Sequence, residues 1–100
     1  MAGQMMTVVS AIVEQTREAE LRAAFERLKD EDIPDGLLAS ALLRGQDDMW
    51  QITTIWRDRS ALEAMRAAPA APAAPRLFRE VGAEPVLAVF ELMDSVRWPL

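Results

Sequence analysis

Trp50, Thr54 and Trp56 alternate along the run MWQITTIW, residues 49–56, and are the side chains best placed to meet a small molecule. Two indoles and one hydroxyl on a single face would make an aromatic wall with one hydrogen-bonding group. Glu91 is the only carboxylate inside the otherwise apolar run 86–93, and burial raises a carboxylate's pKa toward the range useful to a base. Arg79 is a candidate to stabilise an anion. The absences narrow the chemistry further, because the chain has no histidine, cysteine, tyrosine or asparagine. Without Cys or His there is no zinc site, thiolate nucleophile or Ser–His pair. Four scattered glycines form neither a P-loop nor a G-x-G-x-x-G turn. Asp30-Glu31-Asp32 and Asp47-Asp48 lack the spacing of a calcium loop and read as solvated turns. The expectation is a site with no metal and no bound cofactor.

The elements that must hold these residues follow from periodicity. Residues 5–14 alternate as a strand, with Thr7, Val9, Ala11 and Val13 on one face and Met6, Val8, Ser10 and Ile12 on the other. Thr16 would cap a helix over 17–31, whose stripe of Leu21, Ala24, Phe25 and Leu28 suits packing on a sheet. Pro34-Asp35-Gly36 is turn chemistry, and a second strand spans 37–44. Gly45-Gln46-Asp47-Asp48 then makes a hairpin into the tryptophan strand. Beyond Trp56, Arg57-Asp58-Arg59 ends the alternation, and Ser60 with Glu63 forms a capping box for a second helix. Prolines 69, 72 and 75 stop that helix and impose a polyproline-like period on 67–76, either a stiff connection or a rim over a pocket mouth. Pro75 would open a short helix over 76–81 that ends at Gly82, and Pro85 opens the last strand, 86–93.

The order β-α-β-β-α-β is that of a ferredoxin-like α+β domain with a four-stranded antiparallel sheet, spanning residues 1–100 with its core at about 5–93. Helices can cover only one face of such a sheet. The other is also apolar, so a homodimer packed sheet to sheet is expected. A net charge of −5 argues against nucleic acid. The apolar stretch before Glu14 is too short to span a membrane and lacks the flanks of a signal peptide, so a cytoplasmic protein with no membrane partner is expected.

In this order, with ITTIWRDRSALEAMRAAP at its centre, the chain resembles the antibiotic biosynthesis monooxygenase superfamily of dimeric α+β barrels. Trp56, Arg57-Asp58-Arg59, Ser60 and Ala61-Leu62 match its pattern of apolar strand, tryptophan, polar residues and Ala/Leu-rich helix. The resemblance implies a cofactor-independent monooxygenase acting on a phenolic, anthrone-like or quinol metabolite. The alternatives are a non-catalytic ligand-binding or accessory dimer and a polyketide-type cyclase or isomerase. The heme-degrading branch needs a first-strand asparagine, a helix tryptophan and a histidine ligand. Met65 falls at the tryptophan position, and the other two residue types are absent.

Under this resemblance Trp56 is the pocket aromatic, Glu91 the base and Arg79 the phenolate stabiliser. Trp50, Thr54, Met65, Phe78 and Phe90 line a substrate pocket between sheet and helices, with a small aromatic metabolite as partner. Each has a plainer reading: Trp56 and Trp50 as core aromatics, Glu91 as an ion-pair or solvent-facing residue, Arg79 as a solvated helix residue. Trp98 is expected at the dimer edge. A pocket open beside Trp56 favours the enzymes, and a filled core there favours the accessory dimer.

Overall fold

The computed structural model describes residues 3–70 and 72–96, and Trp98 lies outside them. Strand β1 (Met5–Ile12) is followed by a 3-10 turn at Gln15–Arg17 and helix α1 (Glu18–Arg27), which tightens into a 3-10 turn, Leu28–Asp30. Strands β2 (Leu37–Arg44) and β3 (Met49–Trp56), helices α2 (Arg59–Ala67) and α3 (Ala73–Glu80), and strand β4 (Val86–Glu91) complete the chain. The sheet order is β2-β3-β1-β4, antiparallel throughout, which is the expected split βαβ arrangement. No helix among the described residues is long and apolar enough to cross a membrane.

Register decides which side chains share a face. Thr7 pairs with Thr54 and with Val89, and Met5 pairs with Trp56 and with Glu91. The odd positions of β1 are therefore on the face of Trp50, Ile52, Thr54 and Trp56, and all of these are buried under the helices. Two apolar clusters form there. The larger joins Val9, Ala11, Trp50 and Ile52 of the sheet, and Val13 just past β1, to Leu21 and Ala24 of α1 and to Leu77 and Phe78 of α3. The smaller joins Met5 and Trp56 to Ala61 and Leu62 of α2.

Several helix ends differ from the sequence expectation. Ser60 does not cap α2, and there is no Ser60–Glu63 box. Asp58, in an extended conformation, accepts the Ala61 amide at 2.9 Å, so the helix begins a residue before Ser60. Asp58 takes the role because the Arg57 amide bonds to the Gly36 carbonyl at 2.7 Å, which keeps the chain extended up to that point. Thr16 likewise sits inside the 3-10 turn and caps nothing; α1 starts instead with Glu18 and Glu20, whose charges suit the positive end of the helix. Pro75 is the third residue of α3 rather than the first, a position where its missing amide has no helical partner to lose. The Ala-Pro run is thus helical from Ala73 onward.

Gly82 does terminate α3. At φ +78° it donates to the Arg79 carbonyl at 3.0 Å while Ala83 donates to the Phe78 carbonyl at 2.9 Å, a Schellman pair that leaves Ala83 packed in the larger cluster. The β2–β3 loop is turned by Asp47 and Asp48, both at positive φ, and not by Gly45. The expected first strand is shorter than 5–14, because the Val13 amide leaves the ladder to bond the Asp48 carbonyl at 2.9 Å.

The Ala61 amide, and behind it the Arg57 guanidinium, hold the Asp58 carboxyl below its ordinary value. A depressed folded-state pKa contributes stability that is complete above the unfolded aspartate range and is lost as pH falls through the folded value. Asp58→Asn is expected to keep the cap at neutral pH and remove that acid-sensitive part, whereas Asp58→Ala lowers the urea midpoint at neutral pH and Ser60→Ala leaves it unchanged. Urea titrations at neutral and acid pH check all three.

Candidate functional site

The two clusters are separated by a row of hydroxyls. Ser40 of β2 pairs with Thr54 of β3, which pairs with Thr7 of β1, which pairs with Val89 of β4. Each of the three hydroxyl residues stands once on the inward face of its strand. The Ser40 and Thr54 hydroxyls are 3.1 Å apart, and either one can donate. Trp56 Nε1 donates to Thr7 Oγ1 at 3.2 Å across the neighbouring strand. Both threonines are buried, so these bonds are needed; an unmet buried hydroxyl is costly.

The row opens at one end. Helix α2 packs over Met5 and Trp56, and α3 packs over Val9 and Ala11. Leu87 and Val89 of β4 share the helix face by register yet are 48% and 39% exposed, so neither helix covers them. Leu87 and Val89 thus form an open apolar groove along the edge strand, next in register to Val9 and Thr7, which are themselves buried. Arg59 and Glu91 stand at its α2 end, 4.0 Å apart.

The structure brings together only some of the residues picked from sequence. Trp56 is 3% exposed in the smaller cluster, and Met65 packs against that cluster. Trp50 and Phe78 are buried together in the larger cluster, and Arg44 covers the Trp50 ring at 4.9 Å while bonding Glu18 at 2.6 Å. Thr54 lies between the clusters, with its hydroxyl bonded to Ser40. Phe90 is not between sheet and helices. It pairs with Met6 on the opposite face and is half exposed, because β4 meets β1 in the register that places Val89 inward. Glu91 is on the helix face but at its uncovered edge, exposed beside Arg59 rather than buried. Arg79 is exposed on α3, whose buried side is Leu77 and Phe78.

Sequence reasoning passed over Thr7 and Ser40 as site residues. Their signal was present: one hydroxyl in the inward phase of each of three strands. A shallow open depression of about 420 Å³ lies along α1, lined by Ala19, Arg22, Ala23, Phe25, Glu26 and Leu42, and includes none of the hydroxyl row. As for chemistry, the groove offers neutral donors on a largely apolar floor, suited to a flat molecule carrying one acceptor oxygen.

The sequence matches no protein-family model and no curated protein. Solved structures do match. A mutant of SnoaB, a cofactor-independent oxygenase from Streptomyces nogalater, is similar with a TM-score of 0.74 at 22% identity, over 95% of this chain and 98% of that one. A putative antibiotic biosynthesis monooxygenase from Deinococcus radiodurans gives 0.73 at 14% identity, over 95% and 98%. A heme-degrading protein from Mycobacterium tuberculosis gives 0.68 at 24% identity, over 98% and 100%. With the sheet order and helix placement described above, these likenesses show that the chain has the fold of the antibiotic biosynthesis monooxygenases.

Proposed function

We propose that the protein is a cofactor-independent monooxygenase acting on a phenolic, anthrone-like or quinol metabolite. The observation that carries this reading is the hydroxyl row between two apolar clusters, open at Leu87 and Val89. Such chemistry asks little of the protein. The substrate loses a proton, its anion reduces dioxygen, a C–O bond forms, and loss of water leaves the carbonyl; for an anthrone, CH2 and O2 become C=O and H2O. The site must keep the reacting carbon dry, orient it and hold the oxyanion. Leu87 and Val89 provide the apolar bed and the row provides neutral donors. Glu91 remains the candidate base, reached at the groove's edge and not through burial. Arg59, its neighbour, supplies the nearer positive charge, a role the sequence assigned to Arg79.

A second reading has its own support. Trp56 is tightly packed and its indole N–H is engaged by Thr7, as expected of a ligand-binding or accessory dimer without turnover. The heme-degrading activity of one structural neighbour does not transfer. Met65, packed against the cluster of Trp56, stands where that branch needs a tryptophan, and the chain has no histidine to hold iron.

The homodimer belongs to the same proposal. On the face opposite the helices, the strand residues carry no charge, and Ile12, Leu43, Val86 and Phe90 are each at least 45% exposed. An apolar sheet face of this kind is covered by a second sheet in soluble assemblies.

Oxygen uptake without added metal or flavin, measured over a panel of quinols, anthrones and naphthols, tests the activity. Protein-dependent uptake that falls about tenfold or more in Trp56→Phe supports the oxygenase; no uptake with any of them moves the assignment to the accessory dimer. Analytical ultracentrifugation at micromolar concentration should show a dimer that Phe90→Asp converts to monomer. A well-behaved wild-type monomer would contradict sheet-to-sheet packing.

A further inference from the structure

We propose that the Thr7 hydroxyl is the hydrogen-bond donor to the ligand's acceptor oxygen, and that Trp56 is the residue that positions it. The inference rests on the reading that a phenolic or quinol-type molecule enters the groove, and it assigns the polar contact that selects its ionised form.

The direction of the hydrogen bonds carries the argument. An indole N–H only donates, so in the 3.2 Å contact between Trp56 Nε1 and Thr7 Oγ1 the threonine oxygen must accept. The Thr7 O–H is then left to donate elsewhere. Among the described residues it donates to none: its one side-chain hydrogen bond is the one it accepts from Trp56, and the Thr54 hydroxyl bonds Ser40 at 3.1 Å. A buried donor without an acceptor is unfavourable, and a ligand oxygen would relieve it. Thr7 is buried, but of the three hydroxyls it is the one nearest the open edge. Its register neighbour toward the open edge is Val89, 39% exposed, with Leu87, 48% exposed, one pair further along.

The chemistry of the ligand follows from this arrangement. A flat apolar body lies on Leu87 and Val89, and an acceptor oxygen at its inner rim takes the Thr7 proton. The chain from indole N–H through Oγ1–H to the ligand oxygen is polarised in one direction, and it strengthens as that oxygen gains negative charge. Thr7 therefore favours phenolate over phenol as a neutral donor, in addition to the positive charge of Arg59 at the groove's end. Trp56, held in the cluster with Met5 and Leu62, keeps the hydroxyl aimed because its bond to one lone pair of the oxygen limits where the O–H can point.

The test is an absorbance titration of bound 2-naphthol against pH, for wild type, Thr7→Val, Thr7→Ser and Trp56→Phe. The wild type is expected to bind naphtholate about tenfold more tightly than naphthol, seen as a lowered ligand pKa on the protein. Thr7→Val removes that preference, Thr7→Ser keeps it, and Trp56→Phe reduces it while the Phe ring still fills the cluster. If Thr7→Val does not fold, the contrast between Thr7→Ser and Trp56→Phe decides. Naphthol bound with the same preference in wild type, Thr7→Val and Trp56→Phe overturns the inference and leaves the oxygenase reading standing. Loss of the preference in Thr7→Val in a protein that consumes no oxygen supports the inference and overturns the oxygenase reading. No naphthol binding by the wild type overturns the groove as a phenol site, and the inference with it.

Discussion

A hydrogen bond between an indole and a threonine, buried between two strands, holds this structure's functional face in order. Trp56 brings a large apolar ring to the end of β3, and burying that ring is favourable only if its N–H finds an acceptor. Thr7 on the adjacent strand supplies one at 3.2 Å. The same contact fixes the position of α2, because the ring that Thr7 steadies is the surface on which Ala61 and Leu62 pack. Each helix covers its own apolar cluster, and the hydroxyl row lies between the two.

The division has consequences across the sheet. With α2 at one end and α3 at the other, the edge strand β4 is left uncovered on the helix side at Leu87 and Val89. On the opposite face no helix is available at all, and the strands present an uncharged apolar surface. A single chain therefore leaves apolar surface uncovered on both faces of the sheet.

Much of this was legible in the chain itself. The alternation of Trp50, Ile52, Thr54 and Trp56 places four side chains on one face, and the structure puts all four beneath the helices. Element order and hairpin chemistry sufficed for the fold. Phe90 shows where such reasoning ends. Both phases of β4 are apolar, so only pairing with β1 decides that Val89 points in and Phe90 out. Glu91 admits two readings from sequence, a buried base or an ion-paired, solvent-facing residue, and the structure has it exposed beside Arg59 because an edge strand leaves even its inward face partly open. Ser60 and Asp58 compete for one helix end, and a backbone bond from Arg57 to Gly36, 21 residues apart in sequence, tips the choice to Asp58. Thr7 was hidden by its own suitability for a strand. Its role depends on a contact with Trp56, 49 residues away, which periodicity cannot reveal.

The most direct test of this account is the indole N–H of Trp56, followed by NMR through its hydrogen exchange and its chemical shift in wild type and Thr7→Val. A buried N–H bonded to Thr7 should exchange slowly in the wild type, and in Thr7→Val it should shift upfield and exchange at least tenfold faster. An indole proton that exchanges freely in the wild type, or that is unaffected by Thr7→Val, would mean that the bond on which the groove depends is not made.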